Sequence, residues 1–217
     1  MTPGPGWVKG RSLADRRTPA GAGEPRGANT TDRVVLTYDD CPRTRQAFTD
    51  TVLGAEALGV RLVLFPLGTC VKAGLVDVPF AREHGMFVFG HSVNHPVLTK
   101  LSDAKVLAQL RSPAVQGAWM RPPYGAANSL VEQVAASVGV KLWQWSLDSE
   151  DWRKKPADQL IPEVIAEAEP GDTVLLHLQW NGFSTDAITR MKSGLAARGI
   201  ELCRNLGPVA ESTPFSC

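Results

Sequence analysis

The sequence predicts an α/β fold, a distorted (β/α) barrel with about seven parallel strands. Short apolar runs alternate along the chain with amphipathic stretches, a rhythm typical of repeated βα units. The apolar runs are continuous, so both faces of the sheet are expected to be covered. Polar residues able to do chemistry follow the ends of these runs, and in a barrel such ends converge on one mouth. An open doubly wound sheet is the alternative, but it would spread several of these residues along an edge.

In the first half of the chain, strands are predicted at 34–38, 61–65 and 86–89. A helix is predicted over 43–58, ending at Gly59, and loop plus helix over 71–84. In the second half, strands are predicted at 118–120, 140–147, 173–178 and 200–203. Helices are predicted to begin near Ser102, a suitable N-cap, and to cover 128–138, 157–168 and 185–198.

Length and charge narrow the function classes. A chain of 217 residues suits one domain with a full core. Lys plus Arg (23) nearly balance Asp plus Glu (22), so no global field favours nucleic acid or an anionic membrane. Apolar runs are too short to span a bilayer. We expect a monomer without nucleic-acid partners.

Residues 1–31 are rich in Gly, Pro, Ala and Arg and predict a disordered leader, followed by a single domain over 32–217. The leader lacks the apolar segment of a secretory signal. Either a signal has been removed, the start is misassigned, or the protein stays inside the cell.

The four cysteines indicate which cellular compartment the protein occupies, according to whether they are oxidised or reduced. Cys41 and Cys70 each follow a predicted strand, and Cys203 and Cys217 bracket the C-terminal tail. Two disulfides, Cys41 with Cys70 and Cys203 with Cys217, would imply an oxidising compartment and favour secretion or the cell wall. Four free thiols in a cytoplasmic protein are the alternative.

A candidate metal site follows the third predicted strand. His91 and His95 are four residues apart, so both imidazoles can be aimed at one ion. A zinc ion with an open position needs about three protein ligands, and the acidic doublet Asp39–Asp40 at the end of the first strand could supply the third. The alternative is that the doublet caps the following helix.

Five segments carry the polar residues that follow predicted strands. They are Thr37–Pro42, His91–His95, Arg121–Gly125, Asp148–Trp152 and Leu175–His177. In order and approximate spacing, across residues 33–203, they resemble the five motifs of the polysaccharide deacetylase family, the NodB-homology domains of carbohydrate esterase family 4. The resemblance implies a NodB-type barrel and a catalytic domain over 32–217.

The resemblance also implies roles. Asp40, His91 and His95 would bind a divalent metal, usually zinc, with cobalt or another ion open. Asp39 would be the general base, and Arg121 would pair with an acidic residue and hold that base ionised.

The backbone N–H of Tyr124 would stabilise the oxyanion, which leaves the tyrosine ring unexplained. His177 would be the general acid, with Asp148 expected as its carboxylate partner; Asp151 could serve instead, or pair with Arg121.

Leu175, with Trp152, would form a small pocket for the acetyl methyl, although ordinary packing also explains both. Trp180 and Phe183 could stack on sugar rings or cover the adjacent helix.

Three positions depart from the family pattern: Tyr38 where phenylalanine is usual, Cys41 where glycine is usual, and Leu178 where aspartate commonly follows the histidine. The expected substrates are N-acetylglucosamine polymers or oligomers of the chitin or peptidoglycan type. Acetylated xylan, a small or cyclic amide, and a carbohydrate-binding relic without turnover are alternatives.

Overall fold

The computed structural model describes residues 12–17, 19, 21–111 and 118–217. Its strands are β1 (Val35–Asp40), β2 (Val63–Pro66), β3 (Phe87–Val88), β4 (Trp119–Met120), β5 (Lys141–Leu142), β6 (Leu147–Asp148) and β7 (Thr173–His177). Its helices are α1 (Leu13–Arg16), α2 (Arg45–Ala57), α3 (Gly68–Lys72), α4 (Val78–Glu83), α5 (Asp103–Leu110), α6 (Ser129–Ser137), α7 (Ala157–Glu167) and α8 (Thr185–Ala197). Short 3-10 turns cover Leu98–Lys100, Pro123–Gly125 and Asp151–Arg153.

Helix boundaries follow local capping chemistry. The side chains of Thr44, Asn128 and Ser184 each accept a hydrogen bond from the backbone N–H three residues on, at the starts of α2, α6 and α8. Ser102 is the N-cap of α5, as predicted, but its side chain makes no capping bond. Gly59 follows α2 with a φ of 67°, the left-handed conformation that commonly ends a helix.

The sheet confirms the α/β class with parallel strands. Five strands pair in the order β3–β2–β1–β7–β6, all parallel, and β4 pairs with β5 in a second parallel sheet. A bridge between Gly90 and Met120 joins the end of β3 to β4. Within the described residues no ladder joins β5 to β6, so the strands form an incomplete barrel with one open seam.

The single strand predicted over 140–147 is wrong. It divides into β5 and β6, which belong to different sheets. The chain between them leaves the sheet because the carbonyls of Trp143 and Gln144 accept hydrogen bonds from the Arg121 guanidinium. An apolar run cannot reveal such a break, since the partner is a distant side chain.

Part of the predicted leader over 1–31 makes defined contacts with the domain in the residues that the structure describes. Arg16 binds Glu167, and Arg17 Nη1 lies 3.1 Å from Asp172 Oδ1. Further on, Glu24 forms a parallel bridge with Trp143 beside the open seam. Most of these bonds use backbone groups or long basic side chains, which leave no apolar period in the sequence. Residues 1–11 lie outside the described residues.

The strand predicted over 200–203 is also wrong, since this segment makes only isolated bridges and no continuous strand pairing. Leu202 makes a parallel bridge with Val34, and Arg204 makes an antiparallel one with Val60. The tail beyond is held by Arg61, whose buried guanidinium donates to the carbonyls of Gly207 and Ser216 at 2.8 and 3.0 Å. Carbonyl acceptors therefore anchor this segment in place of a sheet.

Two apolar clusters lie on opposite faces of the main sheet, as the continuous apolar runs predicted. One packs the strands against α2, α4, α7 and α8. The other fills the barrel interior and is largely aromatic, with Phe65, Phe87, Phe89 and Trp143. None of the helices in the described part of the chain has both the length and the apolar character needed to cross a lipid bilayer.

Candidate active site

The last two residues of β1, Asp39 and Asp40, have carboxylates in different environments. Asp39 lies on the same face as Thr37, and Arg121 binds both side chains. Asp40 has a φ of 73°, a left-handed conformation uncommon outside glycine. Such a backbone costs roughly 1–3 kcal/mol and persists where its surroundings hold it, often at functional sites. The left-handed turn gives adjacent acids separate environments.

Asp40 meets the two histidines, as the sequence predicted. Its Oδ1 lies 3.6 Å from His91 Nε2 and 3.5 Å from His95 Nε2. The three residues offer ligand atoms that all lie within 4.8 Å of one another. His91 Nδ1 is 2.8 Å from the Arg121 carbonyl, which can only accept, so Nδ1 donates there and the ring is held with Nε2 towards Asp40.

The polar atoms of this trio fit a divalent cation. Asp40 Oδ1 is buried and has no hydrogen-bond partner among the described residues. Burial opposes ionisation of Asp40, but His177, His91 and His95 hold its pKa below the usual range. Burial and the neighbouring His91 lower the pKa of His95 to about 4. An ionised carboxylate and a neutral imidazole are the forms that bind zinc.

Gln179 also contacts this trio, although none of the sequence motifs singled it out. Its Nε2 donates to Asp40 Oδ2 at 2.8 Å, which fixes the carboxylate and leaves Oδ1 facing the histidines. Gln179 lies two residues beyond His177. The period-two alternation of β7, extended past its end, was the available signal.

Arg121 holds Asp39. Its Nη1 donates to Asp39 Oδ1 at 2.8 Å, and the guanidinium is fully buried against the Phe65 ring, 4.2 Å from its centroid. The other nitrogens donate to the carbonyls of Trp143 and Gln144. A planar fork bound on all sides fixes the direction of the Asp39 carboxylate.

The expected pairing of His177 with Asp148 is wrong. His177 Nδ1 lies 2.6 Å from Asp151 Oδ1, and the His177 N–H donates to Asp151 Oδ2 at 2.8 Å. Asp148 Oδ1 instead accepts the N–H of Glu150, two residues on, in an Asx-type turn. Glu150 has a φ of 57°, and this reversal carries Asp151 back to the end of β7.

The pair changes the protonation of His177. Burial would lower its pKa, but Asp151, through charge and hydrogen bond, and then Asp40 and Asp39 raise the pKa to about 10. The ring is therefore an imidazolium at neutral pH in the metal-free protein, with Nδ1–H bound to Asp151. Its Nε2–H remains to face a ligand.

Tyr124 lies at the turn Pro123–Gly125 with a φ of 60°. Its ring packs edge-on against His95, with centroids 4.4 Å apart, which accounts for the side chain that the sequence left unexplained. Its backbone N–H has no acceptor within the described residues.

The apolar residues expected to contact the substrate differ in how exposed they are. Leu175 is buried and Trp152 half-buried. Phe183 is buried, with its ring centroid 5.0 Å from that of Tyr38, so it covers the helix side and offers no sugar platform. Trp180 is half-buried, and Lys154 Nζ lies 5.9 Å from its ring centroid.

Comparison with known proteins agrees with this geometry. A family model described as polysaccharide deacetylase matches residues 26–143, more than half of the chain. The chain belongs to the polysaccharide deacetylase family.

The chain covers very different shares of two of its relatives. The chain is 36% identical over 159 residues to peptidoglycan-N-acetylglucosamine deacetylase PgdA of Listeria monocytogenes, covering 69% of this chain and 33% of that protein. It thus spans about a third of the length of this curated relative. It is 29% identical over 201 residues to a chitooligosaccharide deacetylase of Rhizobium leguminosarum biovar trifolii, covering 87% of this chain and 91% of that protein.

A solved structure shares the fold of the polysaccharide deacetylase family with this chain. It is a pseudoenzyme of carbohydrate esterase family 4 from Bacillus anthracis, with a TM-score of 0.71 and 24% identity, covering 85% of this chain and 67% of that one. Membership of the fold therefore does not by itself establish turnover.

The three departures from the polysaccharide deacetylase pattern have local explanations. Tyr38 donates its hydroxyl to the Gly182 carbonyl at 3.1 Å. Leu178 is buried, and its N–H donates to the Asp39 carbonyl at 2.8 Å. Cys41 faces Cys70, with Cα atoms 5.6 Å apart, and the Cα atoms of Cys203 and Cys217 are 4.7 Å apart. Both separations suit disulfides, in the pairing that the sequence suggested.

Proposed function

We propose that this chain is a metal-dependent hydrolase that removes acetyl groups from N-acetylglucosamine units of peptidoglycan- or chitin-type carbohydrate. The observation that carries the proposal is the convergence of Asp40, His91 and His95 into one set of ligand atoms. The substrate class is taken from the deacetylases of peptidoglycan and chitooligosaccharides to which the chain is similar.

Asp40, His91 and His95 would hold the cation, proposed to be zinc. When bound, such a cation supplies Lewis-acid polarisation of the acyl oxygen and lowers the pKa of an attacking water towards about 7.

Asp39 is proposed to take the proton of the attacking water. Its Oδ1 is bound to Arg121, and its Oδ2 lies 3.7 Å from His91 Nε2, so one oxygen is fixed and the other faces the metal ligands. The water oxygen then adds to the acetamide carbon, and the backbone N–H of Tyr124 donates to the oxygen that becomes negative.

His177 is proposed to complete the reaction. Its Nε2–H gives a proton to the amide nitrogen as the C–N bond breaks, releasing a free amine on the sugar and acetate. Asp151 stabilises the imidazolium before the transfer and holds the ring by Nδ1.

Leu175 and Trp152 are proposed to contact the acetyl methyl, and Trp180 to stack on a sugar ring at the mouth. The two cysteine pairs are proposed as disulfides, which supports an oxidising compartment, with the protein secreted or at the cell wall. Thiol counting under denaturing, non-reducing conditions tests this: no reactive thiol supports it, and four overturn it.

Acetate release from a substrate panel tests the activity. The purified 217-residue chain, zinc-loaded or chelated, is incubated with N-acetylchitooligosaccharides, peptidoglycan and acetylated xylan. Metal-dependent release from the first two supports the proposal. Release from xylan alone would make the chain an esterase, and binding without release from any substrate would make it a relic.

A further inference from the structure

The open seam between β5 and β6 is lined by the N-terminal residues 21–27, here called the edge segment. The N–H of Glu24 donates to the Leu142 carbonyl at 2.9 Å, and the Glu24 carbonyl accepts the N–H of Gln144 at 2.9 Å. The edge segment therefore pairs with the free side of β5 as a short parallel strand would.

Two glycines let the edge segment lie this close. A Cβ added at Gly21 would lie 2.4 Å from the backbone nitrogen of Ala127, and one added at Gly27 would lie 1.9 Å from the Trp143 ring. Contacts under 3.0 Å leave no room for a side chain, so the fit depends on glycine at both positions.

Gln144 connects the edge segment to the candidate active site. Its side chain is fully buried, and Nε2 donates to the carbonyls of Ala22 and Gly125 at 2.8 and 3.0 Å. The backbone carbonyl of Gln144 accepts a hydrogen bond from Arg121 Nη2 at 2.6 Å. One residue thus contacts the edge segment, the turn next to Tyr124, and the arginine that holds Asp39.

The turn needs such support. Tyr124 and Gly125 have φ values of 60° and 64°, a run of left-handed residues that surrounding bonds must hold in place. The Gln144 amide binds this turn at the Gly125 carbonyl, one residue from the N–H proposed to meet the oxyanion.

We propose that the edge segment, through Gln144, positions the Tyr124 N–H and the Arg121–Asp39 pair, so that Gln144 is a positioning residue for the deacetylation proposed above. The inference rests on that proposed function for its kinetic consequence. Its structural consequence, an ordered turn over 121–127, is independent of it.

The test compares Gln144→Met with Asn29→Leu in the zinc-loaded 217-residue chain. Methionine keeps the volume of glutamine but removes both donors. Asn29 is the matched control, because its buried amide also donates to two carbonyls, those of Arg33 and Gly171 at 2.8 and 3.1 Å, without contacting the turn or Arg121.

At a temperature where both variants are folded, we expect Gln144→Met to lower kcat about 10- to 100-fold with little change in KM, since a small misplacement of a reacting group has effects of that order. Asn29→Leu is expected to lose thermal stability but keep kcat. Amide hydrogen exchange of the peptide 121–127 is expected to quicken in Gln144→Met alone.

The outcomes separate cleanly. Unchanged kcat and unchanged exchange in folded Gln144→Met, or equal losses in both variants, overturn the inference. A wild type inactive on every substrate defeats the proposed function instead, and the exchange measurement still decides whether Gln144 orders the turn.

If Gln144→Met does not fold, Glu24→Pro and Glu24→Ala replace it. Both remove the exposed side chain, but only proline removes the N–H that binds the Leu142 carbonyl. Faster exchange over 121–127 in Glu24→Pro alone supports the inference, and identical exchange in the two variants overturns it.

Discussion

The two sides of the candidate active site differ in how their polar atoms are satisfied. On the arginine side, Arg121 binds Asp39, Thr37 and two backbone carbonyls and lies fully inside the barrel. On the metal side, Asp40 Oδ1, which faces the two histidines, is buried without a hydrogen-bond partner among the described residues.

The two sides therefore differ in what a bound cation would change. A buried polar atom without a partner costs roughly 1–3 kcal/mol, so the metal side is stabilised when a cation occupies it. The arginine side has its bonds already made and gains little from a ligand. We therefore expect substitutions on the metal side to alter metal binding, and those on the arginine side to alter turnover.

Adjacent residues give the strongest contrast. Asp39→Asn is expected to lower kcat by roughly 10²–10⁴-fold while retaining zinc, because it removes the proposed proton acceptor but none of the proposed ligands. Asp40→Asn is expected to lose zinc as well as activity. Zinc content after dialysis, measured beside acetate release, checks both variants. Full activity in zinc-loaded Asp39→Asn would show that another group is the base.

The carboxylate beside His177 gives the next effect. Asp151→Asn is expected to lower kcat about 10²-fold, since the imidazolium loses its counter-charge. Asp148→Asn is the control, because an asparagine oxygen can still accept the Glu150 N–H. If Asp148→Asn were the more damaging change, the acid partner would have to be reassigned.

The same pair predicts a pH dependence of stability in the metal-free protein. The pKa of His177 is raised to about 10, whereas an unfolded histidine has a pKa of about 6.5. The stabilisation is fully present below about pH 6.5 and is lost as the pH rises towards about 10. Urea unfolding in chelator should show this fall in wild type and Asp148→Asn, and a flatter profile in Asp151→Asn.

The sequence was sufficient where spacing and strand ends carry the information. Asp39, Asp40, His91 and His95 follow continuous apolar strands, and parallel strands bring their ends to one edge, so the cluster could be predicted without coordinates. The same apolar runs implied that both faces of the sheet are covered, although not that the barrel interior is largely aromatic.

The sequence was insufficient where backbone geometry decides which hydrogen-bond partner a residue meets. Asp148 comes first after its strand, yet an Asx-type turn and the left-handed Glu150 deliver Asp151 to His177. The edge segment binds through carbonyls and N–H groups, which every residue but proline carries, so composition alone suggested disorder.

Gln179 tests how far the metal side depends on a neighbour that does not bind the ion. Gln179→Met is expected to weaken zinc affinity about 10- to 100-fold, because Asp40 Oδ2 loses its donor and the carboxylate is free to rotate. Competition with a chromophoric chelator measures this without reference to activity. Trp180→Ala, a neighbour whose described ring contact is Lys154, should keep the affinity.

The smallest expected effect concerns the Tyr124 ring. Edge-on aromatic contacts contribute about 0.5–1.5 kcal/mol, so Tyr124→Leu should weaken zinc affinity about two- to tenfold through His95. Tyr124→Phe keeps the ring and should match wild type. Because the proposed oxyanion donor is the backbone N–H, zinc-saturated Tyr124→Leu should retain most of kcat. A loss in Tyr124→Phe as large as that in Tyr124→Leu would instead implicate the hydroxyl, and would move this residue from support of the metal side to contact with substrate.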